Sequence, residues 1–223
     1  MTKLILAVHG PERTSALFDV GIRDALRAAG ATAIQVNVDD ADVADALRFG
    51  PAEPVAALVS VWTEGAAADI VRQVSEVTGD PHLHVYRVTE RVRLDPAPTP
   101  DGVRSAVMAQ VALLRRPEDM SPEAYRDYWM HTHTAIAIRT QNTSAYIQNI
   151  VEEVLTPGAP PLSAIVEEHF PMAAMSDPHE FYGSRGDDAE MARRMTELMA
   201  SVAAFGADRG LDLVPTSRYS WSL

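Results

Sequence analysis

The spacing of apolar residues predicts strands and helices that alternate along the whole chain. Continuous or period-two apolar patterns, typical of buried and half-buried strands, recur four times in the first half. They fall at residues 3–8, 33–38, 55–62 and 82–94. Apolar stripes at helical spacing separate the first strand from the second, at residues 18–29, and the third from the fourth, at residues 67–77. The first half therefore has the order βαββαβ.

The second half repeats this order. Its strand patterns fall at residues 106–115, 145–155, 164–170 and 215–221. Ser121 and Pro122 suit the start of a helix. A second apolar stripe at helical spacing consists of Met191, Met195, Leu198, Val202 and Phe205. Three prolines within residues 95–102 favour a stiff connector, so we predict one module at residues 1–94 and another at residues 103–223.

Two βαββαβ units predict an α+β protein made of two tandem ferredoxin-like modules. Helices cover one face of the sheet in such a module and leave the other face bare. Packing the two bare faces against each other would bury both and give a barrel-like body from a single chain. The alternative is a pair of modules joined like beads on a string.

The composition excludes several kinds of chemistry. The 223 residues include no cysteine, which rules out disulfides, thiolate metal sites and cysteine nucleophiles. Lys3 is the only lysine, so a phosphate-binding loop that ends in Gly-Lys-Ser/Thr is absent. A net charge of −12 without a basic stripe argues against nucleic-acid binding. The apolar runs are too short for a membrane span or a secretory signal, so we expect a cytoplasmic protein.

One predicted helix carries most of the candidate chemistry. At about 100° per residue, Tyr125 and Trp129 share one face, His133 lies at the edge of that face, and His131 lies on the opposite side. Only one of the two histidines can therefore join a site on the inner face. His133 is the acid–base candidate, since imidazole titrates near neutral pH. The alternative is a structural histidine that ties the helix to a strand.

Further polar pairs occur on the predicted strands. Glu167 and His169 are two residues apart and share one sheet face, where they could form an acid–base pair. His82 and His84 have the same relation in the first half. If the four side chains met across the two sheets, they could coordinate a divalent ion. Solvated polar residues near strand ends are the alternative.

The second half resembles the EthD family of the dimeric α+β barrel superfamily. That family has a basic residue and proline, then an acidic and aromatic stretch, Tyr-Trp, three residues and a histidine. Matching residues are Arg116, Pro117, Tyr128, Trp129, His133, Tyr146, Asn149 and, on the third strand of the module, Glu167. The resemblance covers residues 106–221. The Gly-Pro usual after the histidine is Thr134-Ala135 here, so we expect the helix to continue.

The resemblance implies a cofactor-independent enzyme of the lyase or isomerase type. Its substrate would be a small apolar aromatic or polyketide-like compound with a carbonyl or phenolic group. His133 would transfer the proton, with Tyr128, Glu167 and His169 as further catalytic candidates. Predicted substrate contacts are Trp129, Asn149, Met191 and Met195. The alternatives are a haem-binding or oxygenase member of the same barrel group and a non-catalytic ligand-binding protein. A homodimer is a possible assembly.

Overall fold

Eight strands, each antiparallel to its neighbours, close into one barrel in the order β1-β3-β2-β8-β5-β7-β6-β4. The structure is a computed structural model that describes residues 1–50 and 54–223. The strands are β1 Thr2–His9, β2 Ala31–Val38, β3 Val55–Thr63, β4 His84–Leu94, β5 Met108–Leu114, β6 Ala145–Val154, β7 Ala164–Phe170 and β8 Asp212–Ser222. The chain therefore has the α+β barrel architecture that its hydrophobic pattern favoured.

Each half of the chain contributes four adjacent strands. The first half has the order β4-β1-β3-β2, and the second half has the corresponding order β8-β5-β7-β6. Hydrogen-bonded pairing of β2 with β8 and of β4 with β6 joins the two sets. The beads-on-a-string alternative is wrong, because these pairings make one continuous sheet that encloses the bare faces.

The helices lie on the outside of the barrel. They are α1 Val20–Ala28, α2 Ala67–Thr78, α3 Pro122–Asp127, α4 Thr134–Thr140, α5 Pro178–Tyr182 and α6 Asp188–Ala204. Residues of α1 and α2 share an apolar cluster with one face of β1, β2 and β3, and α3, α4 and α6 do the same over β6 and β7. The alternate strand residues form a separate cluster without helical members. Successive strand side chains therefore point to the helix layer and to the barrel interior in turn.

Two differences from the sequence prediction concern the candidate helix and the last strand. The helix that begins after Ser121 continues to Thr140, as expected, but it contains a π-helical turn at Tyr128–His133. β8 begins at Asp212 rather than at residue 215, with Pro215 inside the strand. Pro215 lies opposite a residue of β5, whereas β2 pairs with β8 only from Ser217 onward. The missing N–H of Pro215 therefore removes no bond to β2.

The segment between the halves runs beside β8. The N–H groups of Gly102 and Ser105 donate to the carbonyls of Ser220 and Arg218 at 2.9 Å each. Within the described residues, no helix combines the length and the apolar character that a membrane span requires.

Gly65 provides a test of the packing between α1 and the β3–α2 connection. A Cβ added at Gly65 would lie 2.0 Å from the carbonyl oxygen of Ala29, which is a backbone atom and cannot move aside cheaply. We expect Gly65→Ala to lower the free energy of unfolding by about 2 kcal/mol or more, measured by urea denaturation. Gly21→Ala, in α1 with nothing within 4 Å, is the control and should stabilise by about 0.5 kcal/mol. Equal stability of Gly65→Ala and the wild type would contradict this packing.

Candidate functional site

Side-chain hydrogen bonds fix the helical segment that carries His133, both at its start and at its π turn. At its start, the Ser121 hydroxyl accepts a hydrogen bond from the N–H of Ala124 at 3.2 Å. At the end of the π turn, the hydroxyl of Thr134 donates a hydrogen bond to the carbonyl of Trp129, five residues earlier, at 2.8 Å. Single π turns inside α-helices often occur at functional sites. Here the turn places His133 against α6.

His133 is buried at the contact between this segment and α6. Its side chain is 8 % exposed, its Nδ1 lies 3.0 Å from the Ser201 hydroxyl, and its ring centroid lies 4.6 Å from that of Phe205. Burial lowers the pKa of His133 to about 4, because the charged form would lose its hydration. At neutral pH the site therefore contains an uncharged imidazole with one nitrogen held by a hydroxyl.

Phe205 links this imidazole to further aromatic side chains. Tyr128 is half-buried and stacks on Phe205 at a centroid distance of 6.0 Å, and Trp129 is buried between the helix and the sheet. His131 is exposed on the other side of the helix, as its angular position predicted. The prediction that His133, and not His131, lies on the inner face of this helix is confirmed.

Asn149 lies apart from His133. It belongs to the side of β6 that faces the barrel interior, where its Nδ2 donates to the Ile165 carbonyl at 3.1 Å. The neighbouring residues Tyr146 and Ile150 pack under the helices instead. The sheet therefore separates Asn149 from the imidazole, and the structure does not combine these two predicted site residues.

The predicted methionine contacts also lie away from the imidazole. Met191 is half-buried, and Met195 is 42 % exposed. Leu198, Val202 and Phe205 of the predicted stripe do pack in the apolar cluster under the helices. The polar residues Arg194 and Ser201 share this inner side, and a search for apolar residues alone could not find them. Ser201, the partner of His133, was missed for the same reason.

Glu167 and His169 form a buried pair inside the barrel. His169 Nε2 lies 2.6 Å from Glu167 Oε1, Gln35 donates to Glu167 Oε2 at 2.7 Å, and Arg218 Nε lies 3.3 Å from Oε1. Burial alone would raise the pKa of Glu167, but bonding to His169 and the charges of His169, Arg218 and Lys3 hold it at about 2. The period-two prediction that the pair shares one face is confirmed, and its partners from other strands were not foreseen.

The hypothetical metal site is not formed. His84 lies beside Ala7 near the end of β1, whereas Lys3, at the start of that strand, is close enough to Glu167 to influence its ionisation. Four strand residues span about 13 Å, so the two histidine-containing groups lie toward opposite ends of the barrel. His82 is exposed, and within residues 1–50 and 54–223 no group of three or more candidate ligands could hold a metal. The four-residue hypothesis is therefore wrong.

A cavity of about 130 Å³ lies between α3 and the ends of β6 and β7. Its walls include Arg116, Tyr125, Trp129 and Leu162, but not His133. Phe205 lies between the two sites, with its ring centroid 5.5 Å from that of Tyr125 and 4.6 Å from that of His133. The helical spacing had grouped Tyr125 with Trp129, but nothing in the sequence indicated an opening beside them.

The fold is similar to that of two solved structures. One, an "anthrone oxidase-like protein", has a TM-score of 0.55 and 10 % identity over 99 % of this chain and 92 % of that chain. The other, a "Putative monooxygenase" from Fusobacterium nucleatum subsp. nucleatum ATCC 25586, has a TM-score of 0.51 and 7 % identity over 99 % and 94 %. No protein-family model and no curated protein matches the chain. The likeness shows a shared fold, which in this chain is the closed eight-stranded barrel with helices on its outside.

The burial of the His133 imidazole makes the free energy of unfolding depend on pH. The folded-state pKa of His133 is about 4 against about 6.5 when unfolded, so the unfolded chain takes up a proton first as the pH falls. The contribution of the uncharged His133 to stability is therefore complete above about pH 6.5 and is lost as the pH falls toward 4. We expect the wild type to lose about 2 kcal/mol more than His133→Gln between pH 7 and pH 5, measured by urea denaturation. The exposed control His131→Gln should follow the wild type, and parallel curves for wild type and His133→Gln would contradict the burial.

The interior ion pair predicts a large cost for neutralising Glu167. Glu167→Gln leaves the buried Arg218 without a carboxylate partner, so we expect a loss of about 3 kcal/mol in the free energy of unfolding. Glu153→Gln, which breaks an exposed pair with Arg87, is the matched control and should cost less than about 1 kcal/mol. Because folding lowers the pKa of Glu167, its contribution in the wild type is complete above about pH 4.5 and is lost toward pH 2. Similar losses of stability in both variants would show that water screens the interior ion pair as it screens the exposed one.

Proposed function

We propose that this chain is an enzyme that transfers a proton on a small aromatic compound with a carbonyl or phenolic group, and that His133 is the group that accepts the proton. The observation that carries the proposal is the buried, uncharged imidazole whose Nδ1 is held by Ser201. If Nδ1–H donates to Ser201, the lone pair of Nε2 is the basic site. A neutral base that is already oriented needs little rearrangement before it accepts a proton.

The setting of His133 supports an aromatic substrate. Phe205 supplies flat apolar surface beside the imidazole and Tyr128 stacks on Phe205, and aromatic rings favour stacked or edge contacts with one another. The Tyr128 hydroxyl, on a half-buried side chain, is suited to orient a substrate oxygen. Trp129 forms a wall and is not assigned a chemical step.

The proposed reaction begins with removal of a proton from a carbon next to a carbonyl, or from a phenol. His133 becomes an imidazolium, the substrate becomes an enolate or phenolate, and the proton returns to the product at the end. The same first step serves isomerisation, cyclisation, decarboxylation and carbon–carbon cleavage. It also precedes reaction of a carbanion with dioxygen, and the names of the structural neighbours, oxidase-like and monooxygenase, favour this last outcome over lyase or isomerase chemistry.

We also propose that two tandem modules of one chain gave rise to this fold. The matching strand orders of the two halves support two tandem ferredoxin-like modules, of which only the second has the EthD-like Tyr-Trp-x₃-His pattern. The first module then completes the barrel within one chain, as a second subunit does in a dimer. The chemistry proposed here uses only side chains of the second module and no cofactor.

Hydrogen–deuterium exchange into a ketone tests proton removal without requiring the final product. Anthrone and 2′-hydroxyacetophenone in D₂O, followed by proton NMR, report the rate at which the acidic C–H exchanges. We expect His133→Ala to reduce the enzyme-dependent rate by about 100-fold or more, since it removes the base. Because the pKa of His133 is about 4, the wild-type rate should persist down to about pH 5 instead of falling by half near pH 6.5.

The matched control is His131→Ala, on the exposed side of the same helix, which should exchange at the wild-type rate. Ser201→Ala should retain part of the rate, since it loosens the imidazole without removing it. Thermal unfolding verifies that each variant is folded. A folded His133→Ala protein that exchanges as fast as the wild type, or a wild type that exchanges neither ketone, would refute the proposal.

A further inference from the structure

The cavity under α3 has the size of one aromatic ring. Its volume is about 130 Å³, and an apolar cavity of about 150 Å³ in another protein binds benzene. The ring of Trp129 and the side chains of Ile150 and Leu162 form its apolar walls. These walls suit a flat six-membered ring.

One buried donor beside this cavity has no acceptor. Tyr125 is 3 % exposed, lines the cavity, and its hydroxyl makes no hydrogen bond within the described part of the chain. Burial raises the pKa of Tyr125, so the phenol keeps its proton and is available to donate. Buried hydroxyls in folded proteins nearly always have a partner, which makes a ligand oxygen the natural acceptor here.

Positive charge accompanies this donor. Arg116 and Arg126 line the cavity, and no acidic residue is among its lining side chains, although the net charge of the chain is −12. Arg116 is fixed by donation from its Nη1 to the carbonyls of Pro117, at 3.1 Å, and Met120. Its charge acts on the Tyr125 phenol, opposing the effect of burial on the pKa. The polar side of the cavity therefore favours an anionic oxygen.

The indole N–H of Trp129 also makes no hydrogen bond within the described residues. Trp129 contributes its ring to the cavity wall, and no role in binding is assigned to its N–H. This leaves Tyr125 as the donor and Arg116 as the source of charge.

We infer that this cavity binds a single-ring aromatic carboxylate, with the carboxylate accepting a hydrogen bond from the Tyr125 hydroxyl and the ring lying against Trp129. The inference goes beyond the proposed function, because the cavity lies apart from His133 and takes a ligand class of its own. It gives Tyr125 and Arg116 roles in recognising that ligand. Neither residue is required to move a proton.

Isothermal titration with benzoate measures this binding directly, without turnover. We expect saturable binding to the wild type and at least about a tenfold larger Kd for Tyr125→Phe, which removes only the hydroxyl. Tyr219→Phe, which alters a half-buried phenol of β8 that packs against Phe18, is the matched control and should bind as the wild type does. Benzyl alcohol, which has a similar size and no charge, should bind at least about tenfold more weakly than benzoate.

Thermal unfolding with and without benzoate separates loss of the site from loss of the fold. Saturating benzoate should raise the Tm of the wild type by a few degrees and raise that of a folded Tyr125→Phe protein less. Absence of benzoate binding, wild-type affinity in Tyr125→Phe, or equal affinity for benzyl alcohol would each overturn the inference.

The outcome is distinguishable from that of the proposed function. His133→Ala should bind benzoate with unchanged Kd, because His133 is not among the lining residues. Tyr125-dependent binding without ketone exchange would remove the catalytic proposal and leave this site standing. Ketone exchange that depends on His133, without benzoate binding, would remove this binding site and leave the catalytic proposal standing.

Discussion

The pairing of β2 with β8 and of β4 with β6 is the constraint on which the rest of the structure depends. It gives every strand two neighbours, so the sheet has no exposed edge, and it closes the barrel interior to water. Polar side chains inside must then find partners inside. Gln35 from the first half and Arg218 from the second meet at Glu167, so the seam between the halves is fixed by backbone bonds and by side-chain charges together.

The closed interior also bears on which candidate residues are suited to chemistry. Glu167 is surrounded by His169, Gln35 and Arg218, and these contacts hold its pKa at about 2. A carboxylate that holds its charge so strongly is a poor base near neutral pH. His133 lies outside the barrel wall, where Ser201 holds its imidazole and burial lowers its pKa to about 4. The interior charges therefore explain the stability of the seam, whereas His133 owes its uncharged form to burial.

The sequence predicted local features well and contacts between distant elements poorly. Period-two spacing placed Glu167 and His169 on one face, because alternation follows from strand geometry alone. The contact of Arg218 with Glu167 depends on the register of β8 in the closed barrel, which no local pattern specifies. The π turn before Thr134 and the contact of Ser201 with His133 were missed because each involves polar residues at buried positions. Apolar periodicity does not register such positions.

The two halves, which share one strand order, differ in the chemistry of their helix layers. In the first half, α1 and α2 bury apolar residues, and the polar Thr78 bonds to the Val74 carbonyl of its own helix. In the second half, the same layer contains an imidazole and a buried phenol without an acceptor.

This contrast argues for function in the second half. Buried polar groups without partners cost stability, and a layer that served only the fold could be as apolar as its counterpart. Of the five buried side-chain atoms that lack a hydrogen-bond partner in the described residues, four belong to the second half. They are on Tyr125, Trp129, Gln148 and Asn149. The first half therefore shows that this fold can be built with a more apolar helix layer. The unpartnered atoms on Tyr125 and Trp129, which line the cavity under α3, support the binding site that we infer for the second half.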